Sequence, residues 1–414
     1  MDNQKILLIL DVKQANPRWT NYVREIANQN YEVDLLIHHS GKHTLDSEIV
    51  DHPKIRIFYS FFISIYGRNR LLTKLLYVLT KYFSSNRTFL SIYDFIAIHA
   101  FLFKAKRLFM QYKYRLIITS SSPFYTHIVG SKLRQTFDTK WVADYRDLWS
   151  LNHTNTDVCQ DQLNFEKASI SCADACLTVS RGLKADLKSI FPGPIHVVYN
   201  GYRFLEPTKE LLSEKNITFE YTGQIYKSNQ NISGALDFFS HSKYLKEANF
   251  SVNFSGSSGV YISNYFKEKK VKIPKNFNCV GQVSNSEAIK RQKTASFLLF
   301  LSWGETQDKG VVPGKIFEYI ASGVPILVIG RTSQIEISKI IKASGYYICI
   351  NSQADLDRLI LAYYQGTLKI PQRNVDFIRQ FQYSEQSRTL IKIFNDLVKE
   401  QLSVDLDKLQ TSLE

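Results

Sequence analysis

The chain has 414 residues, 44% of them hydrophobic and 22% charged, a balance that excludes a disordered or low-complexity protein and makes two globular domains the expectation. Its net charge of +14 calls for an acidic partner, but no helix-turn-helix, zinc-finger or RNP pattern supports nucleic acid. No apolar stretch reaches about 18 residues without charge, so no membrane span is expected, and Cys159, Cys172, Cys176, Cys279 and Cys349 form no CxxC pair, which reads as reduced thiols in a cytoplasmic protein.

MDNQKILLIL runs directly into the first strand, Lys5–Leu10, so no signal peptide is expected. Further strands are predicted at Glu32–His38, Lys54–Tyr59, Arg115–Ser120, Trp141–Asp144, Ala175–Val179 and His196–Tyr199. A second set follows at Ile217–Tyr221, Ser251–Ser255, Phe277–Val280, Phe297–Leu301, Pro325–Ile329 and Tyr347–Ile350. Most are apolar on both faces, as strands of covered parallel sheets are. Helical segments lie between them, which predicts an α/β protein with two doubly wound sheets. The expected domains are 1–205 and 206–375, with a helical segment 376–414 packing back on the first. The polar stretch 206–216, EPTKELLSEKN, reads as the linker.

The segment 60–113 is unusual. Phe and Tyr recur at helical spacing among Arg68, Arg70, Lys74, Lys81, Lys104, Lys106, Arg107 and Lys113. A basic amphipathic helix of this kind suits an anionic membrane surface; the plainer reading is a set of helices covering the first sheet.

Residues 311–330, VVPGKIFEYIASGVPILVIG, parse as one unit. Pro313 suits a helix start, Gly323 a helix end, and Ile326–Ile329 a buried strand. Lys315 and Glu318 are three apart and share a face. A cation and an acid at a helix N-terminus suit a diphosphate and a ribose diol, or else form a surface ion pair. Ligands of open parallel sheets bind beyond the carboxyl ends of strands. There stand Ser121–Ser122–Pro123, Asp144–Tyr145–Arg146–Asp147, Thr222–Gly223–Gln224 and Ser302–Trp303–Gly304. Two such edges facing each other would make a cleft. Arg146–Asp147 reads as a structural ion pair.

KIFEYIASGVPILVIG resembles the donor-site signature of GT-B fold retaining glycosyltransferases, the large family that includes bacterial capsule, O-antigen and exopolysaccharide enzymes. WVADYRDLWS, ADACLTVSRGLKADL, VVYNGY and FEYTGQIY are similar to that family in the same order. The resemblance implies two Rossmann-like domains facing a cleft and no bound metal or other cofactor, the nucleotide sugar being a substrate. It implies Asp144, Lys227 and Lys315 as catalytic residues, and Gly223, Lys227, Gly314, Lys315 and Glu318 around the donor. Arg146 and Asn200 would stand near the acceptor. Two positions depart from the family pattern: Gln224 replaces a basic residue, and Gly310 replaces the first of two glutamates.

The function implied is sugar transfer from a nucleotide sugar to a saccharide acceptor, polyprenyl-diphosphate-linked, in surface polysaccharide synthesis at the inner face of the cell membrane. The alternatives are a nucleotide-sugar 2-epimerase of the same fold and a non-catalytic, membrane-associated partner subunit.

Overall fold

A computed structural model describes residues 5–11, 17–38, 47–60, 89–152, 157–210, 216–225, 232–245, 250–257, 259–301, 310, 312–330 and 336–411. The chain forms two compact units, Met1–Tyr199 with Tyr383–Glu414, and Asn200–Gln382.

Unit 1 is built on seven strands: β1 (Lys5–Leu10), β2 (Glu32–His38), β3 (Ile55–Ser60), β4 (Leu116–Ser121), β5 (Lys140–Tyr145), β6 (Ala175–Thr178) and β7 (Ile195–Val197). Their order is β3-β2-β1-β4-β5-β6-β7, with every pairing parallel. Unit 2 carries β8 (Ile217–Thr222), β9 (Phe250–Ser255), β10 (Phe277–Gly281), β11 (Phe297–Leu301), β12 (Ile326–Ile329) and β13 (Tyr347–Ile350). These run β10-β9-β8-β11-β12-β13, again all parallel. Every predicted strand is present, and where the ends differ they do so by a residue or two in either direction.

Each parallel sheet is covered by helices, and inner strands such as β1, β11 and β12 are apolar on both faces over most of their length. On one face of unit 1, Ile6, Leu8, Val33 and Leu35 meet Trp19, Tyr22 and Ile26 of the helix Pro17–Asn28. The same cluster takes Leu390, Phe394 and Leu397 from the C-terminal helix Tyr383–Thr411. The opposite face packs Leu7, Ile9 and Ile117 against Phe101 and Leu108 of the helix Ile92–Gln111 and Val129 of the helix Tyr125–Thr136. Ser91 caps Ile92–Gln111 through a reciprocal pair of hydrogen bonds with Asp94.

The segment read as a linker is a coil seated on unit 2 over its described part. The Glu206 N–H donates to Ala321 O and the Lys209 N–H to Gly323 O, at 2.9 and 2.8 Å. The chain passes between units at Tyr199–Asn200 and again at Gln382–Tyr383. The crossings therefore differ from the expected 205/206 and 375/376.

Phe394 is buried in the cluster that joins the C-terminal helix to the first sheet. Phe394→Ala is expected to lower unfolding stability by about 3–5 kcal/mol, the usual cost of emptying a packed aromatic site. Urea denaturation followed by circular dichroism checks this.

Candidate functional site

The site is built where β8 ends and the helix Lys315–Ala321 begins. Strand β8 places Ile217, Phe219 and Tyr221 in the aromatic core of unit 2. By strand alternation, Thr218, Glu220 and Thr222 point the other way. The strand is thus polar on one face, as is β9 (FSVNFS) beside it, whereas β11 (FLLFL) on its other side is apolar on both. The Glu220 carboxyl accepts a hydrogen bond from the Ser255 hydroxyl of β9, and burial raises its pKa.

Tyr319 pins the helix to this strand. The Thr222 N–H and its hydroxyl both donate to the Tyr319 phenol oxygen, at 2.9 and 3.2 Å. The Tyr319 ring is fully buried. The helix stops at Gly323, whose φ is +76° and where a Cβ would stand 1.9 Å from Pro207 O. No L side chain fits that approach. Pro325 and β12 follow, as the sequence reading has it.

With the helix fixed, Lys315 and Glu318 take different partners. The Lys315 ammonium lies 3.7 Å from the centroid of the Tyr221 ring. It also comes within 3.6 Å of where a side chain on Gly223 would begin, so glycine keeps the approach to it open. The Glu318 carboxylate accepts from Gln292 Nε2 at 3.1 Å. The two residues do not form the surface ion pair that their spacing allows. Burial lowers the Lys315 pKa to about 7, against a smaller upward pull from Glu318. Burial raises the Glu318 pKa, opposed by Gln292 and Lys315. A desolvated ammonium on a ring face beside an open glycine turn can receive an anion. A carboxylate with one oxygen engaged can accept from a hydroxyl.

The helix N-terminus itself offers less than its sequence suggests. The Ile316 and Phe317 N–H groups already donate to Pro313 O and Gly314 O, each at 3.1 Å. The positive charge comes from the Lys315 side chain. Asn200 lies beside Gly314, its Nδ2 3.6 Å from a Cβ built there, so two more predicted residues meet at this edge. Gln224 is exposed, and its carbonyl accepts from the Tyr221 hydroxyl at 2.9 Å. Lys227, Ser302, Trp303 and Gly304 fall outside the described residues, as does most of the loop 304–312. Gly310 is described, with φ +78°.

Sequence reasoning missed Tyr221 and Gln292. Tyr221 reads as an ordinary strand aromatic. Gln292 is the buried residue of the helix Asn285–Thr294 and donates to both Thr222 Oγ1, at 2.9 Å, and Glu318. That helix, NSEAIKRQKT, has almost no apolar periodicity from which its inward face could be read.

In unit 1 the prediction for Asp144 changes. The residue is fully buried. Its carboxylate accepts from Arg18 at 3.1 Å, Trp19 Nε1 at 2.6 Å and the Ser120 hydroxyl at 2.8 Å. Strand order explains this: β4 lies between β1 and β5, so Asp144 at the end of β5 reaches Ser120 on β4 and the helix that follows β1. It is a structural anchor and presents no free oxygen to a substrate. Burial is the largest influence on the Arg18 guanidinium and lowers its pKa, but Asp144, Tyr22 and Tyr383 together raise it above its ordinary value. Arg146 forms no ion pair with Asp147. It donates to the carbonyls of Ser121 and Ser122 at 3.0 and 3.2 Å, which crosslinks the ends of β4 and β5. Among the described residues, no group of three His, Cys, Asp or Glu side chains is arranged to hold a metal ion.

Residues 18–203, just under half of the chain, match Glycosyltransferase Family 4. Among curated proteins, none matches the chain. Solved structures resemble it over its whole length. The sucrose-phosphate synthase of Thermosynechococcus elongatus is 14% identical, covers 99% of this chain and 100% of its own, and has a TM-score of 0.59. The lipopolysaccharide outer core galactosyltransferase WaaB, in its apo form, is 16% identical over 96% of this chain and 100% of its own, with a TM-score of 0.56. Anabaena HepE, solved with UDP and glucose, is 11% identical over 98% and 100%, with a TM-score of 0.55. At these identities the likeness shows the fold: two Rossmann-like parallel-sheet units of the GT-B class.

Asp144→Ala is expected to lower stability by about 3–5 kcal/mol, because it strands the Arg18 guanidinium in the interior. Urea denaturation measures the loss; a variant as stable as the parent would return Asp144 to the list of free carboxylates.

Proposed function

We propose that the chain is a nucleotide-sugar-dependent glycosyltransferase whose donor binds in unit 2 at the edge formed by Gly223, Gly314, Lys315 and Glu318. The observation that carries this reading is the pair of separated charges. Lys315 is held over Tyr221 and Glu318 is held by Gln292, each desolvated and each with capacity for a ligand group. Lys315 would neutralise the diphosphate as the sugar–oxygen bond breaks, a charge that grows in the transition state. Glu318 would accept from the ribose hydroxyls. The match to Glycosyltransferase Family 4 and the shared fold support the same class. Lys227 remains a proposed second cation.

Transfer would retain the anomeric configuration and need no bound metal, as the resemblance of residues 315–330 to retaining enzymes implies. Lys315 supplies a cation for the leaving group, and excess EDTA should leave turnover unchanged.

A screen of nucleotide sugars by thermal stabilisation identifies the donor, since a ligand at about 100 times its Kd adds about 2.7 kcal/mol. With that donor, Glu318→Gln should weaken binding about tenfold or more, as loss of a hydrogen bond to a charged group costs about 1.5–3 kcal/mol. Lys315→Met should lower kcat about a hundredfold. Unchanged binding and turnover in folded variants would end the assignment. Release of an epimerised nucleotide sugar without acceptor would indicate the epimerase instead, and absence of turnover by the chain alone, with donor bound, a partner subunit.

The acceptor is proposed to be lipid-linked, on the anionic inner face of the membrane. No described helix is long and apolar enough to cross a membrane. The described part of the stretch 60–113 is residue 60 and residues 89–113; Arg68, Arg70, Lys74 and Lys81 lie outside it. The helix Ile92–Gln111 buries Ala97, Ile98, Phe101, Ala105 and Leu108 on unit 1 and exposes a second stripe. Phe95, Phe103 and Met110 on that stripe are 59%, 62% and 76% exposed. His99, Lys106 and Arg107 stand among them, with the Arg107 guanidinium 4.5 Å from the Phe103 ring centroid. Lys104 is turned aside, over the Phe58 ring. Large apolar side chains interleaved with cations suit the headgroup boundary of an anionic bilayer.

The protein should sediment with phosphatidylglycerol vesicles, and less so as salt rises, because charge attraction is screened within a Debye length. Replacing Phe103 and Met110 by Ser and Lys106 and Arg107 by Gln should abolish that sedimentation while leaving donor affinity intact. A wild-type chain that ignores such vesicles would favour a soluble acceptor.

A further inference from the structure

Unit 1 contains a recess that the proposed reaction does not use. It opens at the β7 edge of the sheet, between the helix Arg181–Leu187 and the C-terminal helix, with a volume of about 700 Å3. Its charged lining is Arg181, Lys184, Lys188, His196, Lys392 and Asp396. Four permanent cations therefore face one carboxylate across a concave surface. No described acid comes within ion-pair distance of Lys184, Lys188 or Lys392. The cations come from segments about 200 residues apart. They are held opposite one another by packing: Leu183 and Leu187 are buried on one side, and Leu390 and Ile393 on the other. Like charges gathered this way repel unless an anion sits between them.

His196, on β7, is half-buried in the recess, and its pKa is lowered by burial and by Lys184, with Asp396 opposing. A neutral imidazole can donate to a ligand oxygen without adding charge. Val197 and Ile393 make part of the wall apolar. The recess is larger than one phosphate requires and lies in the range of organic-ligand pockets.

We propose that this recess is a second anion site, separate from the Lys315 edge, for a ligand carrying at least two phosphate charges on an organic body. Lys184 and Lys392 would clamp the phosphates from opposite walls, and Asp396 would limit affinity by repulsion. The same chemistry could come from a soluble organic diphosphate or from two adjacent phospholipid headgroups, and the experiment separates the two.

Calorimetric titration of the full chain with inorganic pyrophosphate is the test. Lys184→Gln with Lys392→Gln should weaken pyrophosphate binding about tenfold or more, each charge-assisted contact being worth roughly that factor. Lys315→Met should leave this binding in place. Asp396→Asn, which removes only the opposing charge, should tighten it. Competition by phosphatidylglycerol vesicles would identify headgroups as the source, and indifference to them a soluble ligand. The proposal is overturned if the double variant binds pyrophosphate as tightly as the parent, or if all binding disappears in Lys315→Met.

Discussion

The hydrogen bonds between Thr222 and the Tyr319 phenol are the constraint on which the candidate site depends. They tie the end of β8 to the middle of the helix Lys315–Ala321, inside the protein, where no water can replace either partner. Leaving the Thr222 N–H without an acceptor there would cost about 1–3 kcal/mol. More consequentially, it would free the helix to turn. One helical turn carries Lys315, Glu318 and Tyr319, so fixing the phenol fixes the other two. Lys315 then reaches the Tyr221 ring and Glu318 meets Gln292. Thr222 also accepts from Gln292, which closes a loop of contacts linking the strand, the helix and the amide.

That arrangement keeps a cation and an acid apart at short sequence distance. Two side chains three residues apart on one helix face ordinarily neutralise each other. Here an aromatic face holds one and an amide holds the other, so both remain available to a ligand. The cost shows in their pKa values, which burial moves towards the neutral forms. Perturbation of this kind is common at functional sites.

The fold was legible because parallel strands announce themselves as short, doubly apolar runs. Ile326–Ile329 and Phe297–Leu301 could be read from four or five residues each. Residues whose roles depend on strand order were harder. Asp144 looks like a strand-end carboxylate aimed at a ligand, and only the β1-β4-β5 adjacency reveals that Arg18 and Trp19, some 125 positions earlier, take up its oxygens. Arg146 likewise has an acid beside it in sequence yet bonds to carbonyls across the sheet. Gln292 left no trace because a single buried amide on a charged helix has no periodicity. The exposed stripe of Ile92–Gln111 was half legible: the spacing showed an amphipathic helix, but which aromatics face inward follows from packing.

Unit 1 is thereby tied together by internal polar bonds at its strand ends, and its unspent charge is displayed on the helix Ile92–Gln111 and along the β7 edge. Unit 2 concentrates its unspent charge at Lys315 and Glu318. The most direct measurement is proton uptake on binding the nucleotide sugar found by the stabilisation screen. With its pKa near 7, Lys315 is mostly neutral at pH 8 in the free protein. A diphosphate would raise that pKa and draw a proton in, so affinity falls as pH rises above 7. Calorimetry at pH 8, in buffers of different ionisation enthalpy, should record about one proton taken up by the parent and none by Lys315→Met. Binding without proton uptake in the parent would contradict the assignment of Lys315 to the diphosphate.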